Sequence, residues 1–291
     1  MTDYRTIAVD GLEIFYREAG PKEAPTVLLL HGFPSSSHYY RNLITALSEK
    51  FHVVAPDYPG FGNSDSPPLD KFEYSFDNLS EVMEKFIRKI GLNTFSLFVQ
   101  DYGGPVGFRI AARHPEWIET LIIQNSNAYE EGIGKGFDPV KELWKNKNES
   151  TEKPLREVLT HDTVKYLYVN GEPDPAKVSP DAWNMDLYYL NLPGRVDIQI
   201  ELLYDYQNNL KGYPDLQAYF KKHQPPTLVA WGTNDIFFTN EGGTAYKRDL
   251  KNIEVHLLDG GHFTLESHVD VIAGHIERFL DKNAAAKKKA A

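Results

Sequence analysis

Phe98-Val99-Gln100-Asp101-Tyr102-Gly103-Gly104-Pro105-Val106-Gly107 is the stretch from which the rest of the chain is best read. Residues 95–99 form an apolar, β-prone run, and from Val106 to Arg113 apolar residues recur at helical spacing. Between them an acidic residue and two glycines suit a tight turn. A strand, a turn and a helix are expected, with Asp101 at the apex. An acid in that position can cap the helix that follows it, or it can stand ready as a nucleophile.

Working outward, residues 7–18 alternate like a hairpin, with Asp10-Gly11 as the turn. Residues 26–30 are apolar without interruption and end in His31-Gly32-Phe33-Pro34, which suits a central parallel strand. A helix is expected over 39–50, a strand over 53–55, a loop at Asp57-Tyr58-Pro59-Gly60-Phe61-Gly62-Asn63-Ser64-Asp65 and a helix over 79–90. Beyond Asp101, residues 118–124 read as a strand. Strand signals then cease until 226–231, which runs into Gly232-Thr233-Asn234-Asp235, and 253–258, which runs into Asp259-Gly260-Gly261-His262. A helix is expected over 269–280, and the Ala/Lys tail, 282–291, is expected to fray.

This pattern divides the chain into an α/β core, 1–127 and 217–291, and an inserted helical cap, 128–216. Strands alternating with helices make a mostly parallel central sheet flanked by helices, and ligands bind such sheets beyond the carboxyl ends of the strands. His31, Asp101, Asp235 and His262 each follow a strand, so the topology gathers them at one edge. Asn125 and Asn127 occupy a rival position for the acid but cannot carry its charge, which favours Asp235. Asp57 and His31 read as structural hydrogen-bonding groups.

Composition narrows the partners. A formal net charge of −10 over 291 residues disfavours nucleic acid and anionic membrane surfaces. The chain has no cysteine, which excludes disulfides, thiolate metal sites and a Cys nucleophile. No apolar run reaches membrane-spanning length and the first residues are polar, so a cytoplasmic protein is expected, monomer or homodimer. Gly60-Phe61-Gly62 lacks the third glycine of a dinucleotide site, and no His pair has the spacing of a zinc protease, so neither cofactor nor metal is expected.

Through His31-Gly32-Phe33-Pro34, Gln100-Asp101-Tyr102-Gly103-Gly104, Gly232-Thr233-Asn234-Asp235 and Gly261-His262-Phe263, the sequence resembles the α/β-hydrolase family. Within it, the likeness is to the branch with an aspartate nucleophile, which includes epoxide hydrolases and haloalkane dehalogenases. Asp101 stands where the family's Gly-x-Ser-x-Gly elbow carries serine, and that motif is absent elsewhere. The resemblance implies an ester on Asp101, formed by attack on an sp³ carbon. It is hydrolysed by water that His262 activates while Asp235 holds the imidazole. The backbone N–H groups of Phe33 and Tyr102 would hold the oxyanion.

The leaving group separates the two activities. An alkoxide needs a proton, as from tyrosine, whereas a halide needs only N–H donors. Haloalkane dehalogenases usually place Trp after the nucleophile; here it is Tyr102. Epoxide hydrolysis to a diol is therefore the first expectation, with Tyr166, Tyr168, Tyr204 and Tyr206 of the cap as proton-donor candidates. Haloalkane dehalogenation is the alternative, with Trp144 or Trp183 serving the halide. A small apolar electrophile and water are the expected partners; a non-catalytic ligand receptor on the same fold is a further alternative.

Overall fold

The computed structural model describes residues 1–157 and 159–290. Its framework is one sheet of eight strands: β1 (Asp3–Val9), β2 (Leu12–Ala19), β3 (Thr26–Leu30), β4 (His52–Pro56), β5 (Phe95–Gln100), β6 (Ile118–Gln124), β7 (Thr227–Gly232) and β8 (Ile253–Leu258), in the order β1-β2-β4-β3-β5-β6-β7-β8. The hairpin turns at Asp10-Gly11, and β2 is antiparallel to β4; the pairs from β4 to β8 are parallel.

The interior strands are apolar on both faces because both faces are covered. Leu28, Leu30, Leu97, Val99, Leu121 and Ile123 pack on the side of α2 (Phe76–Lys89) and α3 (Gly103–Arg113). Val27, Leu29, Phe98, Ile122, Leu228 and Ala230 pack on the other, with α1 (Arg41–Leu47) and the long C-terminal helix (Leu265–Ala290). The period of two along each strand thus feeds two cores.

Between β6 and β7 the chain forms α4 (Asp138–Lys145), α5 (Glu149–Glu157), α6 (His161–Val169), α7 (Pro180–Leu190), α8 (Arg195–Asp205) and α9 (Gln207–His223). Helix α9 runs straight through residue 216, where the sequence pattern places the edge of the insert. A short helix, α10 (Asn240–Ala245), follows β7, and the C-terminal helix is α11. The helix expected over 39–50 is a 3₁₀ turn, Ser37–Tyr40, followed by α1, which stops at Leu47.

The tail differs from expectation. Helix α11 bends at His268 and continues through residues 282–290, whereas fraying is expected there. Alanine and lysine are strong helix formers, and Asn283 is anchored by hydrogen bonds with Asn252 and the Phe279 carbonyl. Residue 291 lies outside the described residues. No helix of the described residues is long and apolar enough to cross a membrane.

Candidate active site

β5 delivers Asp101 into a left-handed backbone conformation, φ +48°, which is strained for a residue with a side chain. The turn is held open by Asp101 N–H donating to the Asn125 carbonyl at 3.2 Å, and by Gly104 N–H and Ser126 Oγ donating to the Asp101 carbonyl at 3.0 and 2.8 Å. Gly103 allows it to close: a Cβ there would lie 2.0 Å from the Leu30 carbonyl oxygen. Helix α3 therefore starts against the end of β3, with Asp101 projecting beyond the sheet.

The Phe33 N–H donates to Asp101 Oδ1 at 2.7 Å, and the Tyr102 N–H also hydrogen-bonds the carboxylate. Asp101 Oδ2 lies 3.6 Å from His262 Nε2. On the far side of the imidazole, Nδ1–H donates to Asp235 Oδ2 at 2.7 Å, which fixes the tautomer and leaves the Nε2 lone pair facing Asp101. Asp235 is itself immobilised: Asn125 Nδ2 donates to Oδ2 at 2.8 Å, and Phe237 N–H donates to Oδ1 at 2.7 Å. Residues 101, 235 and 262, the first far from the other two in the sequence and the last two close together, thus form one chain of contacts.

Burial dominates the electrostatics. It pushes the Asp101 carboxyl up to about 6, against the opposing pull of His262 and the Phe33 and Tyr102 N–H groups. Burial pushes His262 down, but the charges of Asp235 and Asp101 and the hydrogen bond to Asp235 outweigh it, leaving the imidazole above its ordinary value. As a nucleophile, Asp101 would have to be ionised. The rate of covalent adduct formation is therefore expected to be flat above pH 7 and to fall through a midpoint near pH 6, approaching tenfold per unit below it. Rapid-quench mass spectrometry across pH would check this.

These groups face a cavity of about 50 Å³ lined by Phe33, Tyr102, Phe137, Leu203, Phe237 and Phe263, among others. Its wall is apolar apart from Asp101, His262 and Tyr102. The Tyr102 hydroxyl is buried without a hydrogen-bond partner, and no other lining residue carries a hydroxyl.

None of the six leaving-group candidates from the insert lines this cavity. Tyr166 is 48% exposed. The Tyr168 hydroxyl donates to Asp186 at 2.5 Å, and its ring stacks on Phe263. Tyr204 is half-buried against the core, with the Lys147 ammonium 4.9 Å from its ring centroid. Tyr206 is buried one layer back, its ring 6.0 Å from Tyr102 and 4.9 Å from Phe137. The Trp144 indole N–H is engaged by the Leu203 carbonyl at 2.8 Å. Trp183 packs near Tyr168, under Lys165.

His31 and Asp57 act as local supports. His31 is buried and pushed down to about 4 by desolvation; Nδ1 donates to the Gly32 carbonyl at 3.0 Å and the ring stacks on Tyr58. Asp57 accepts from the Ser37 and Asn63 N–H groups.

Two residues at the site carry no role in the sequence reading. Gln100 Nε2 donates to His262 Nε2 at 3.1 Å, and Asn125 bridges Asp235 to both backbone groups of Gly232. Their signal is a polar side chain at the carboxyl end of an otherwise apolar strand.

A strained acid elbow backed by an imidazole–carboxylate pair, at the carboxyl edge of a mostly parallel sheet, is an arrangement of the α/β-hydrolase type. A sequence model of the alpha/beta hydrolase fold matches residues 25–269, and the chain belongs to this family. An uncharacterized hydrolase of Saccharomyces cerevisiae, YNR064C, is 40% identical over 284 residues, 94% of this chain and 95% of the relative. A haloalkane dehalogenase of Psychrobacter cryohalolentis is 36% identical over 129 residues, covering 43% of this chain and 42% of that protein. Among solved structures, the epoxide hydrolase CorEH superposes with a TM-score of 0.78 at 19% identity, covering 97% of this chain and 99% of the other.

Proposed function

We propose that this hydrolase opens small apolar epoxides to diols through an ester on Asp101, beneath a cap formed by residues 128–216. The observation that carries the choice of epoxide is that Tyr102, a residue of the cavity wall, has a buried hydroxyl with no partner. A buried donor left without an acceptor costs about 1–3 kcal/mol, and the oxygen of a bound epoxide would satisfy it. The indole of Trp144, which could have held a halide, is already committed to Leu203.

In this reading Asp101 Oδ2 attacks an epoxide carbon and the C–O bond breaks. Tyr102, whose phenol burial holds well above its ordinary value, gives its proton to the departing alkoxide. His262 then takes a proton from water, and the hydroxide adds to the Asp101 carboxyl carbon. Oδ1, already held by Phe33 N–H, carries the oxyanion. Collapse expels the second alkoxide, which takes the proton from His262, and the remaining proton returns to Tyr102.

A cavity of about 50 Å³ has room for only a few water-sized groups, which points to short chains. The local similarity to haloalkane dehalogenases supports a second reading, halide displacement at the same carboxylate.

The discriminating experiment assays terminal epoxides and bromoalkanes for diol and free bromide. Diol production supports the first reading; bromide release without diol establishes the second. Tyr102→Phe is expected to slow alkylation of Asp101 by epoxides by 10²–10³-fold and to leave alkylation by bromoalkanes nearly unchanged. Equal losses on both would remove Tyr102 from proton donation.

A further inference from the structure

The loop that follows α6 reaches out of the insert and grips both halves of the imidazole–carboxylate pair. Glu172, 7% exposed, accepts the Gly261 N–H at 2.8 Å through Oε1, and the Ser267 hydroxyl through Oε2. Gly261 directly precedes His262. One residue earlier, the Gly171 carbonyl accepts from Asn234 Nδ2 at 2.7 Å, and Asn234 directly precedes Asp235. Gly171 sits at φ +81°, where a Cβ would fall 2.7 Å from both Cβ and the carbonyl oxygen of Asn234 and 3.0 Å from Gly261 Cα. The two loops are also tied together by Asn234 N–H donating to the Gly260 carbonyl at 2.9 Å. The opposite end of the insert binds the segment just beyond Asp235: Gly134 and Gly136 N–H donate to the Phe237 and Ile236 carbonyls at 2.7 and 2.9 Å.

The geometry points to Glu172 as a positioning residue for the second half of the reaction: it fixes the height of His262 over Asp101 by holding the backbone immediately before it. This rests on the ester reading above. Glu172 has no route to the first step, in which Asp101 attacks unaided by a base. It bears on the second, where Nε2 must aim a water at the ester carbonyl. The 3.6 Å gap between Nε2 and Asp101 Oδ2 is what the loop sets. Errors near 1 Å in such an alignment cost on the order of 10²-fold. The residue is also the insert's tie to the base, so the segment that covers the substrate and the group that activates water are one mechanical unit.

Glu172→Ala is expected to lower kcat 10–100-fold and to accumulate the Asp101 ester in the steady state, seen by intact mass during turnover. Glu172→Gln keeps a carbonyl oxygen for Gly261 and is expected to restore most of the rate without accumulation. Loss of rate in Glu172→Ala without accumulated ester, in a background where His262→Gln does accumulate it, overturns the assignment. So does an unchanged kcat. If His262→Gln never forms an ester, the ester reading fails, and the assignment is decided instead by the downfield proton resonance of the His262–Asp235 hydrogen bond. That signal should weaken in Glu172→Ala and persist in Glu172→Gln; an unchanged signal overturns the role. Should Glu172→Ala fail to fold, Asn234→Ala cuts the second tie and is expected to show the same signature in weaker form; its absence counts equally against the proposal.

Discussion

His262→Gln is expected to convert the enzyme into a stoichiometric acceptor of its own substrate. One alkyl group per chain should appear on Asp101, at a rate within a few-fold of the wild-type first step, while turnover falls by at least 10³-fold. The reason lies in the division of labour. Asp101 Oδ2 needs only to be ionised and exposed to the cavity, whereas hydrolysis of the ester needs Nε2, whose lone pair is fixed by the 2.7 Å hydrogen bond from Nδ1 to Asp235. Intact mass followed by peptide mapping reads the outcome. A variant that stays unmodified with every substrate the wild type consumes removes the covalent mechanism.

Asp101→Asn is expected to abolish turnover and, unusually for a change at a buried polar site, to raise the melting temperature by a few degrees. Wild-type Asp101 is buried, and its carboxyl is pushed up from 3.8 to about 6, so at neutral pH the folded state holds a charge that water would solvate better. Asparagine keeps an oxygen for the Phe33 N–H and tolerates the positive φ. The pH dependence gives the sign. A carboxyl with a raised folded-state pKa is more protonated in the folded state, so this penalty on the wild type is present above about pH 6 and is relieved as pH falls toward 4. The advantage of Asp101→Asn should therefore shrink on acidification. Calorimetry at pH 7.5 and pH 4.5 tests this, and an advantage that grows instead would contradict it.

The sheet was legible because its interior strands are covered on both faces. Leu28, Leu29 and Leu30 are all apolar, and so are their partners Leu97, Phe98 and Val99 in β5 and, beyond those, Leu121, Ile122 and Ile123 in β6. The elbow was legible because an acid followed by two glycines interrupts such a run. The roles of tyrosines in the insert were not. Tyr204 and Tyr206 lie two positions apart near the end of a helix, about 200° around its axis. One therefore lies half-buried beside Lys147 while the other is fully buried behind Tyr102. Tyr166 and Tyr168 divide in the same way between solvent and Asp186. Which face of a helix meets the cavity depends on how the helices pack, and spacing along the chain does not encode it. The commitment of the Trp144 indole to a carbonyl on another helix is hidden for the same reason. Asn125 was visible as a strand-end residue, yet its use as a brace for Asp235 depends on β6 and β7 being neighbours.

In the proposed ester mechanism, the placement of His262 between two carboxylates also sets the timing of the reaction. While Asp101 is a free anion, it helps to hold a proton on the imidazole, and a protonated imidazole cannot act as a base. Alkylation turns that anion into a neutral ester. Burial still favours the uncharged ring, and of the two carboxylates beside His262 Asp235 alone remains charged. The imidazole becomes more ready to accept a proton from water once there is an ester to hydrolyse, so the first chemical step arms the second without any movement of the protein.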